Sequence, residues 1–292
     1  MEPHVAVLVL DTPIAGVAET FGDFGDNAIS LLGRSKCGFV KYQVAFDVTM
    51  ADRAEQNAQG CQRMLSALSE GIRDGAIKGA ILTGSRTDSF LENHPWIAPL
   101  DKFIQTTLFN TPNFPMVGLC FGHQILAKNL GCKVNRNSPE NGWEAGTTTI
   151  SLNKSILDIP GSPFRSALKT EDGKILQHIN LVEFHRDIVY GMPPASTHSL
   201  LSGTSFQNLG STAKCSIQGL ITESGPIKVL TFQGHPEFTT AESLNLLELM
   251  AQEQKIDKGV FERLTYNTRN LENQGPIVGK VIQEFIESHI QF

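Results

Sequence analysis

Four short apolar runs within the first 120 residues, each followed by helical spacing, limit most tightly what this chain can fold into. The first, HVAVLVLD at 4–11, is rich in valine and suits a strand buried on both faces. A break at Thr12-Pro13 leads into a predicted helix from about Gly16 to Leu32, closed by Gly33. Residues 38–48 alternate as a second strand, and 57–76 carry Met64, Leu65, Leu68 and Ile72 on one helical face. GAILTGS at 79–85 reads as a third strand ending in a glycine turn, with a helix over 96–109 behind it. PMVGLC at 115–120 is the fourth strand. This alternation predicts a parallel sheet covered by helices on both sides.

After Gly131 the texture becomes β-rich, with runs such as GTTTISL, ILQHINLVEFHRDIVYGM, KCSIQGLIT and IKVLTFQG between 132 and 232. We expect these to continue the sheet as mixed strands with a covering hairpin. The tail reads as helix from about Ala241 to Glu253 and again from about Gly279 to Ile290. No repeat or linker divides the chain. The predicted class is α/β, a single three-layer α/β/α domain over 1–292 with a mixed, mostly parallel sheet. Its core spans about 4–250 and a C-terminal helical extension about 255–292.

Bulk properties exclude several functions. A net charge of −6 disfavours nucleic-acid and anionic-membrane binding, which use basic surfaces. No apolar stretch approaches the length that spans a bilayer, and MEPHVAVLVLDTP lacks the basic n-region of a signal peptide. Five scattered cysteines without a CxxC pair argue against a disulfide framework or a structural zinc site. We therefore expect a cytoplasmic protein without a metal or organic cofactor.

Cys120 stands at the tip of the fourth strand, one residue before FGHQILAKNLG, whose spacing predicts a helix closed by Gly131. Ligands of open α/β sheets lie at such strand ends. A sharp strand-to-helix turn exposes a nucleophile there, and Gly118 and Gly122 leave the room it needs. The helix N-terminus favours the thiolate, and the Phe121 N–H points towards an oxyanion formed on a substrate bound to the sulfur. A free cysteine is more often a small buried hydrophobe, so a partner base must decide between the two. LTFQGHPEF at 230–238 supplies one: a second apolar run ends in a glycine turn that carries His235 and Glu237.

G-x-C-x-G-x-Q at Gly118, Cys120, Gly122 and Gln124, followed far downstream by GHPE at 234–237, closely resembles the class I (triad) glutamine amidotransferases. The resemblance implies a flavodoxin-like core and a triad of Cys120 as nucleophile, His235 as base and acid, and Glu237 as the group that orients it. It implies oxyanion donors at Gly84 or Ser85 and at Phe121, and contacts to the substrate glutamine from Gln124, His185 and Asp187. The substrate class is a small γ-glutamyl compound, with a synthase partner left open. The chain departs from many family members in having Thr83-Gly84-Ser85-Arg86 where they carry a Gly-Gly-Pro-like turn. That turn and DSFLENHPWI are closer to stand-alone γ-glutamyl peptidases and to stand-alone eukaryotic amidotransferase-like proteins.

Three functions therefore stay open: a cysteine-dependent γ-glutamyl hydrolase, a catalytically silent regulatory protein on the same fold, and another cysteine hydrolase or redox sensor. Residues 51–63 and 191–213 are expected to be loops that set specificity.

Overall fold

The computed structural model describes residues 2–290 apart from 15, 34, 49, 92, 93 and 196–200. The first half alternates as the sequence predicts. In order come β1 (His4–Val9), α1 (Val17–Phe21), α2 (Phe24–Leu32), β2 (Gly38–Gln43), α3 (Ala54–Arg73), β3 (Ile77–Leu82), α4 (Ile97–Thr106), β4 (Pro115–Leu119) and α5 (Phe121–Asn129). β1 is buried throughout because its side chains alternate between two apolar layers. Ala6 and Leu8 join the layer under α3, α4 and α5, while Val5 and Val7 join the one under α2. On α3, Cys61, Leu65 and Leu68 are buried with Met64 and Ile72 beside them, one stripe of a 3.6-residue period.

The predicted helix over 16–32 is two helices. Gly22, at φ 88°, ends α1, and Asp23 starts α2 with a reciprocal capping box to Asp26. Residues 51–63 were expected as a specificity loop but are a 3-10 turn and the first half of α3. Their helical stripe is folded onto the sheet at Cys61, which is fully buried.

The second half comprises β5 (Lys133–Arg136), β6 (Glu144–Leu152), α6 (Phe164–Ala167), β7 (His178–His185), β8 (Asp187–Tyr190), β9 (Ser205–Asn208), β10 (Gly210–Ser211), β11 (Leu220–Ser224), β12 (Lys228–Phe232), α7 (Thr240–Gln252), α8 (Lys258–Asn270) and α9 (Gly275–His289). Among the described residues the main sheet runs β2-β1-β3-β4-β12-β11-β9, parallel from β2 to β12 and antiparallel at β11 and β9. The central strands are buried on both faces; β2, at the edge, is half-exposed along its length. The β-rich runs do not all extend this sheet. β6 pairs with β7 on one side and with β10 on the other in a separate antiparallel sheet, and β5 pairs with β8.

α9 packs its Val278, Val281, Ile282, Phe285 and Ile286 against the layer of Val5 and Val7. Each such burial stabilises the chain by about 1.5–3 kcal/mol. α8 lies in the expected C-terminal helical extension, but no separate helix was predicted there, since few of its residues are apolar. Asp257 caps its N-terminus, and Thr268 on its last turn accepts the Thr147 N–H of β6 at 3.0 Å.

Candidate active site

β4 and β12 are hydrogen-bonded neighbours in parallel register, Leu119 opposite Phe232, so their carboxyl ends deliver Cys120 and the 233–237 turn to the same place. Cys120 is the N-cap of α5 at φ 50°, ψ −101°, a conformation that costs a non-glycine residue of order 1–3 kcal/mol. Three hydrogen bonds hold it there: Cys120 N–H to the Phe232 carbonyl (2.9 Å), Gly122 N–H to Thr83 O (3.2 Å) and Gln124 N–H to Cys120 O (3.1 Å). The flanking glycines are a steric requirement of this turn. A Cβ on Gly118 would lie 2.5 Å from Gly122 O, and one on Gly122 would lie 2.1 Å from Leu82 O.

His235 is fixed from three sides. Its N–H donates to Val182 O of β7 at 2.7 Å, its Nδ1 pairs with Glu237 Oε1 at 2.8 Å, and its ring stacks on Phe238 with centroids 4.1 Å apart. Burial works against charge on this ring. The neighbouring Cys120 sulfur and the Glu237 carboxylate outweigh it and hold the imidazole well above its usual range. Gln233 brings Nε2 to 3.9 Å from Cys120 Sγ.

Gly84 closes the third side. A Cβ there would meet His235 Cε1 at 3.1 Å and Cys120 Cβ at 4.0 Å. The turn that carries Gly84 and Ser85 is tied to β1. Thr83 Oγ1 accepts the Leu10 N–H at 3.0 Å, and the fully buried Asp11 takes the Arg86 N–H (3.0 Å), Nε (2.8 Å) and Nη2 (3.0 Å). Asp11 and Arg86 escaped the sequence reading, although an acid at the end of the first strand and a basic residue after the glycine turn were both visible.

The candidate substrate contacts separate into two kinds. Gln124 is buried on α5, its Nε2 donating to Asp187 O (3.0 Å) and Gln233 Oε1 (3.2 Å). Asp187 stands opposite Arg136 in the β5–β8 register, and the guanidinium bridges it (2.6 Å) to Asp88 (2.7 Å). Burial, then the Asp88 charge, raises Asp187 to about 6 despite Arg136. His185 points elsewhere: opposite Glu144 in the β6–β7 register, its Nε2 lies 3.0 Å from Glu144 and 3.3 Å from Glu183. Burial alone lowers this ring, but the two carboxylates raise it to about 10, while burial pushes Glu183 up to about 7. The donor atoms of Glu144, Glu183 and His185 lie within 4.8 Å of one another, spacing a cation could use. A protonated His185 occupies that place as a donor, not as a ligand.

Cys120, His235, Ser85, Gln124, His185 and Asp187 all border one cleft of about 460 Å³. Residues 51–63 do not line it; of 191–213, residues 196–200 lie outside the described residues and the others do not reach it.

A parallel-centred three-layer fold with a cysteine elbow beside a His–Glu pair defines a class of protein in which a strand-tip nucleophile faces a base from the neighbouring strand. Comparison with known proteins gives the family. A model of the glutamine amidotransferase class-I family matches residues 98–250. The chain is 32% identical over 244 residues to a glutamine amidotransferase-like protein of Schizosaccharomyces pombe, covering 82% of this chain and 81% of that one. It is 30% identical over 260 residues to a Saccharomyces cerevisiae protein assigned to the glutamine amidotransferases, covering 88% and 87%. It is 24% identical over 195 residues to gamma-glutamyl peptidase 2 of Arabidopsis thaliana, covering 67% of each. The glutamine amidotransferase structure from Thermotoga maritima superposes with a TM-score of 0.58 at 17% identity, over 97% of this chain and 99% of that one. That from Methylobacillus flagellatus gives 0.56 at 16%, over 100% and 96%. The chain belongs to the class I glutamine amidotransferase family, and its fold is the flavodoxin-like fold of that family. Among the described residues no helix is long and apolar enough to cross a membrane.

Proposed function

We propose that this chain hydrolyses a small γ-glutamyl amide, glutamine or a γ-glutamyl peptide, through a glutamyl thioester on Cys120. The observation that carries the reading is the meeting of a strained Cys120 (φ 50°) with a His235 that is paired to Glu237 at 2.8 Å and raised by the Cys120 sulfur. Similarity to a gamma-glutamyl peptidase supports the peptide branch.

The Cys120 sulfur attacks the γ-carbonyl, and the oxyanion is held by the N–H of Phe121 at the start of α5 and that of Gly84 or Ser85. As the C–N bond breaks, the His235 proton passes to the leaving nitrogen; Glu237 keeps the ring oriented. Water, deprotonated by His235, then cleaves the thioester and releases glutamate. Gln124, Asp187 and Arg136 face the amino-acid half of the substrate, whereas His185 acts from behind, as the cation that holds Glu144 and Glu183. No step needs a cofactor or a synthase partner. We take the whole chain, 1–292, as one domain. Its five cysteines, all free and buried, fit a reducing compartment such as the cytoplasm.

The test is release of glutamate by the purified protein from glutamine, glutathione and a γ-glutamyl dipeptide, with Cys120→Ala as control. Turnover of the peptides that the variant lacks supports a self-sufficient γ-glutamyl peptidase, and turnover of glutamine alone supports an amidotransferase subunit. Absence of both, with no labelling of Cys120 by a glutamine-like electrophile, favours a silent binding protein.

A further inference from the structure

The cleft continues past His235 into a wall that has no part in the steps above. It is built by Phe24 of α2, Phe184 at the end of β7, Phe238, and Leu246, Leu249 and Met250 of α7. Phe238 stacks on His235 and lies 6.3 Å from Phe24 and 6.4 Å from Phe184, ring centre to ring centre. Phe24, Phe184, Leu246 and Leu249 are only partly buried, so they present apolar surface to the cavity. The one carboxyl set among them, Glu242, is turned to Asn27 Nδ2 at 2.9 Å, and burial followed by the Glu237 charge raises it to about 7. Glu253 and Lys255 pair with each other at the rim.

Chemistry fixes which half of the substrate meets this wall. The group that protonates the leaving nitrogen must lie beside it, within about 2.6–3.2 Å in the reacting complex. The amino-acid half is served by Gln124, Asp187 and Arg136, all polar, whereas the side of His235 bounded by Phe238 is aromatic and aliphatic. Whatever substituent the leaving nitrogen carries is therefore directed along Phe238. Ammonia needs no such surface, and a cleft of about 460 Å³ is in the range, roughly 300–1,000 Å³, that holds a much larger ligand than glutamine.

We propose that Phe24, Phe184, Phe238, Leu246, Leu249 and Met250 form a subsite for the amine half of the substrate, and that the chain prefers γ-glutamyl amides of apolar amines or amino acids over glutamine. The inference rests on the hydrolase reading above. The γ-carbonyl carbon passes from nitrogen to the Cys120 sulfur, the His235 proton leaves with the nitrogen, and the free apolar amine departs from this wall.

The experiment compares kcat/KM for γ-glutamyl-phenylalanine, γ-glutamyl-glycine and glutamine in the wild-type protein and in Leu246→Asp and Leu249→Asp. The phenylalanine peptide should exceed the glycine peptide by about tenfold or more. Either substitution should draw that ratio towards one. In the wild type, free phenylalanine should inhibit more strongly than free glycine, a readout that does not depend on the variants folding. Equal rates on the two peptides, a preference for glutamine, or a ratio that both folded variants leave unchanged would overturn the subsite while hydrolysis stands. Absence of glutamate from every substrate, with Cys120 unlabelled, would instead overturn the underlying reading and the subsite with it.

Discussion

Gly84 and His235 are in contact through the one position where a side chain is missing: a Cβ on Gly84 would lie 3.1 Å from His235 Cε1. The imidazole must then give way by a few tenths of an ångström, and it is already fixed by Glu237, Phe238 and the Val182 carbonyl. Gly84→Ala should lower kcat about tenfold, with KM and melting temperature little changed, because misplacement of a reacting group acts on the chemical step. Steady-state kinetics beside a thermal melt decides; an unchanged kcat would show that the ring has slack.

Gly122 has no such margin. Its added Cβ would lie 2.1 Å from Leu82 O, a backbone atom at the carboxyl end of the inner strand β3. Gly122→Ala should therefore destabilise the fold by about 3 kcal/mol or more, as overpacking against an immovable neighbour does. Chemical denaturation reads this directly.

Glu237→Gln keeps the shape of the pair and removes its charge. His235 then loses one of the two neighbours that raise it, and the amide can force the wrong ring orientation. We expect a loss of roughly 10³–10⁴-fold in kcat with the fold intact. The midpoint of His235 titration should fall towards the ordinary range, as followed by NMR of the imidazole.

The buried Glu144–His185–Glu183 group makes stability depend on pH. His185 rises from its ordinary value of 6.5 to about 10 and Glu183 from 4.5 to about 7, so both hold protons more tightly folded than unfolded. Each contribution is complete below the lower value and is lost as pH rises to the upper one. Stability should decline as pH rises from 4.5 to about 7, where the Glu183 contribution is lost, and on from 6.5 to about 10, where that of His185 is lost. Glu144, lowered by His185, Thr212 and Gln218 against burial, runs the other way on acidification. His185→Asn strands two carboxylates and should cost about 3–5 kcal/mol at pH 8. The cost should shrink at pH 5, where Glu183 takes up a proton. Urea melts at the two pH values test this, and an equal loss at both would mean that His185 is not charged.

Arg136 separates Asp88 from Asp187, with contacts of 2.7 and 2.6 Å. Arg136→Met leaves the two acids facing each other at the polar end of the cleft. KM for a γ-glutamyl substrate should rise about 10–100-fold while kcat changes far less, the pattern of lost ground-state binding. A fall confined to kcat would move Arg136 from substrate binding to the chemical step.

The alternating first half was legible because its strands are apolar on both faces and its helices keep an apolar stripe, as Leu65 and Leu68 do on α3. The region after Gly131 was not, because a local run such as GTTTISL carries no information about its partner strand. β6 pairs with β7 away from the main sheet only once the chain has folded. α8 was missed as a separate helix for a similar reason: its contact with β6 is a single Thr268 hydroxyl and a few apolar groups, too sparse to register as a period. At the site, Cys120, His235 and Glu237 were visible as motif letters, and the structure brings them together at adjacent strand ends. Gln124, Gly84 and Asp187 also reach the cleft wall or the pair beside it; His185 borders the cleft too, but its Nε2 is taken up by Glu144 and Glu183. Arg136 carried no signal, since it matters through Asp187, 51 positions away, and Glu183 carried none because it acts through His185, whose own partner Glu144 is 41 positions away.

β4 and β12 are bonded neighbours whose ends carry the sulfur and the imidazole, about 4.7–4.9 Å of strand spacing apart at their base. The pair is thus assembled by the innermost hydrogen bonds of the sheet and stands complete before any ligand arrives. A relative that gave up chemistry could do so by exchanging one side chain and keep the whole scaffold, whereas one that wished to ration its activity would have to work at the mouth, where α2 and α7 meet, and leave the floor alone.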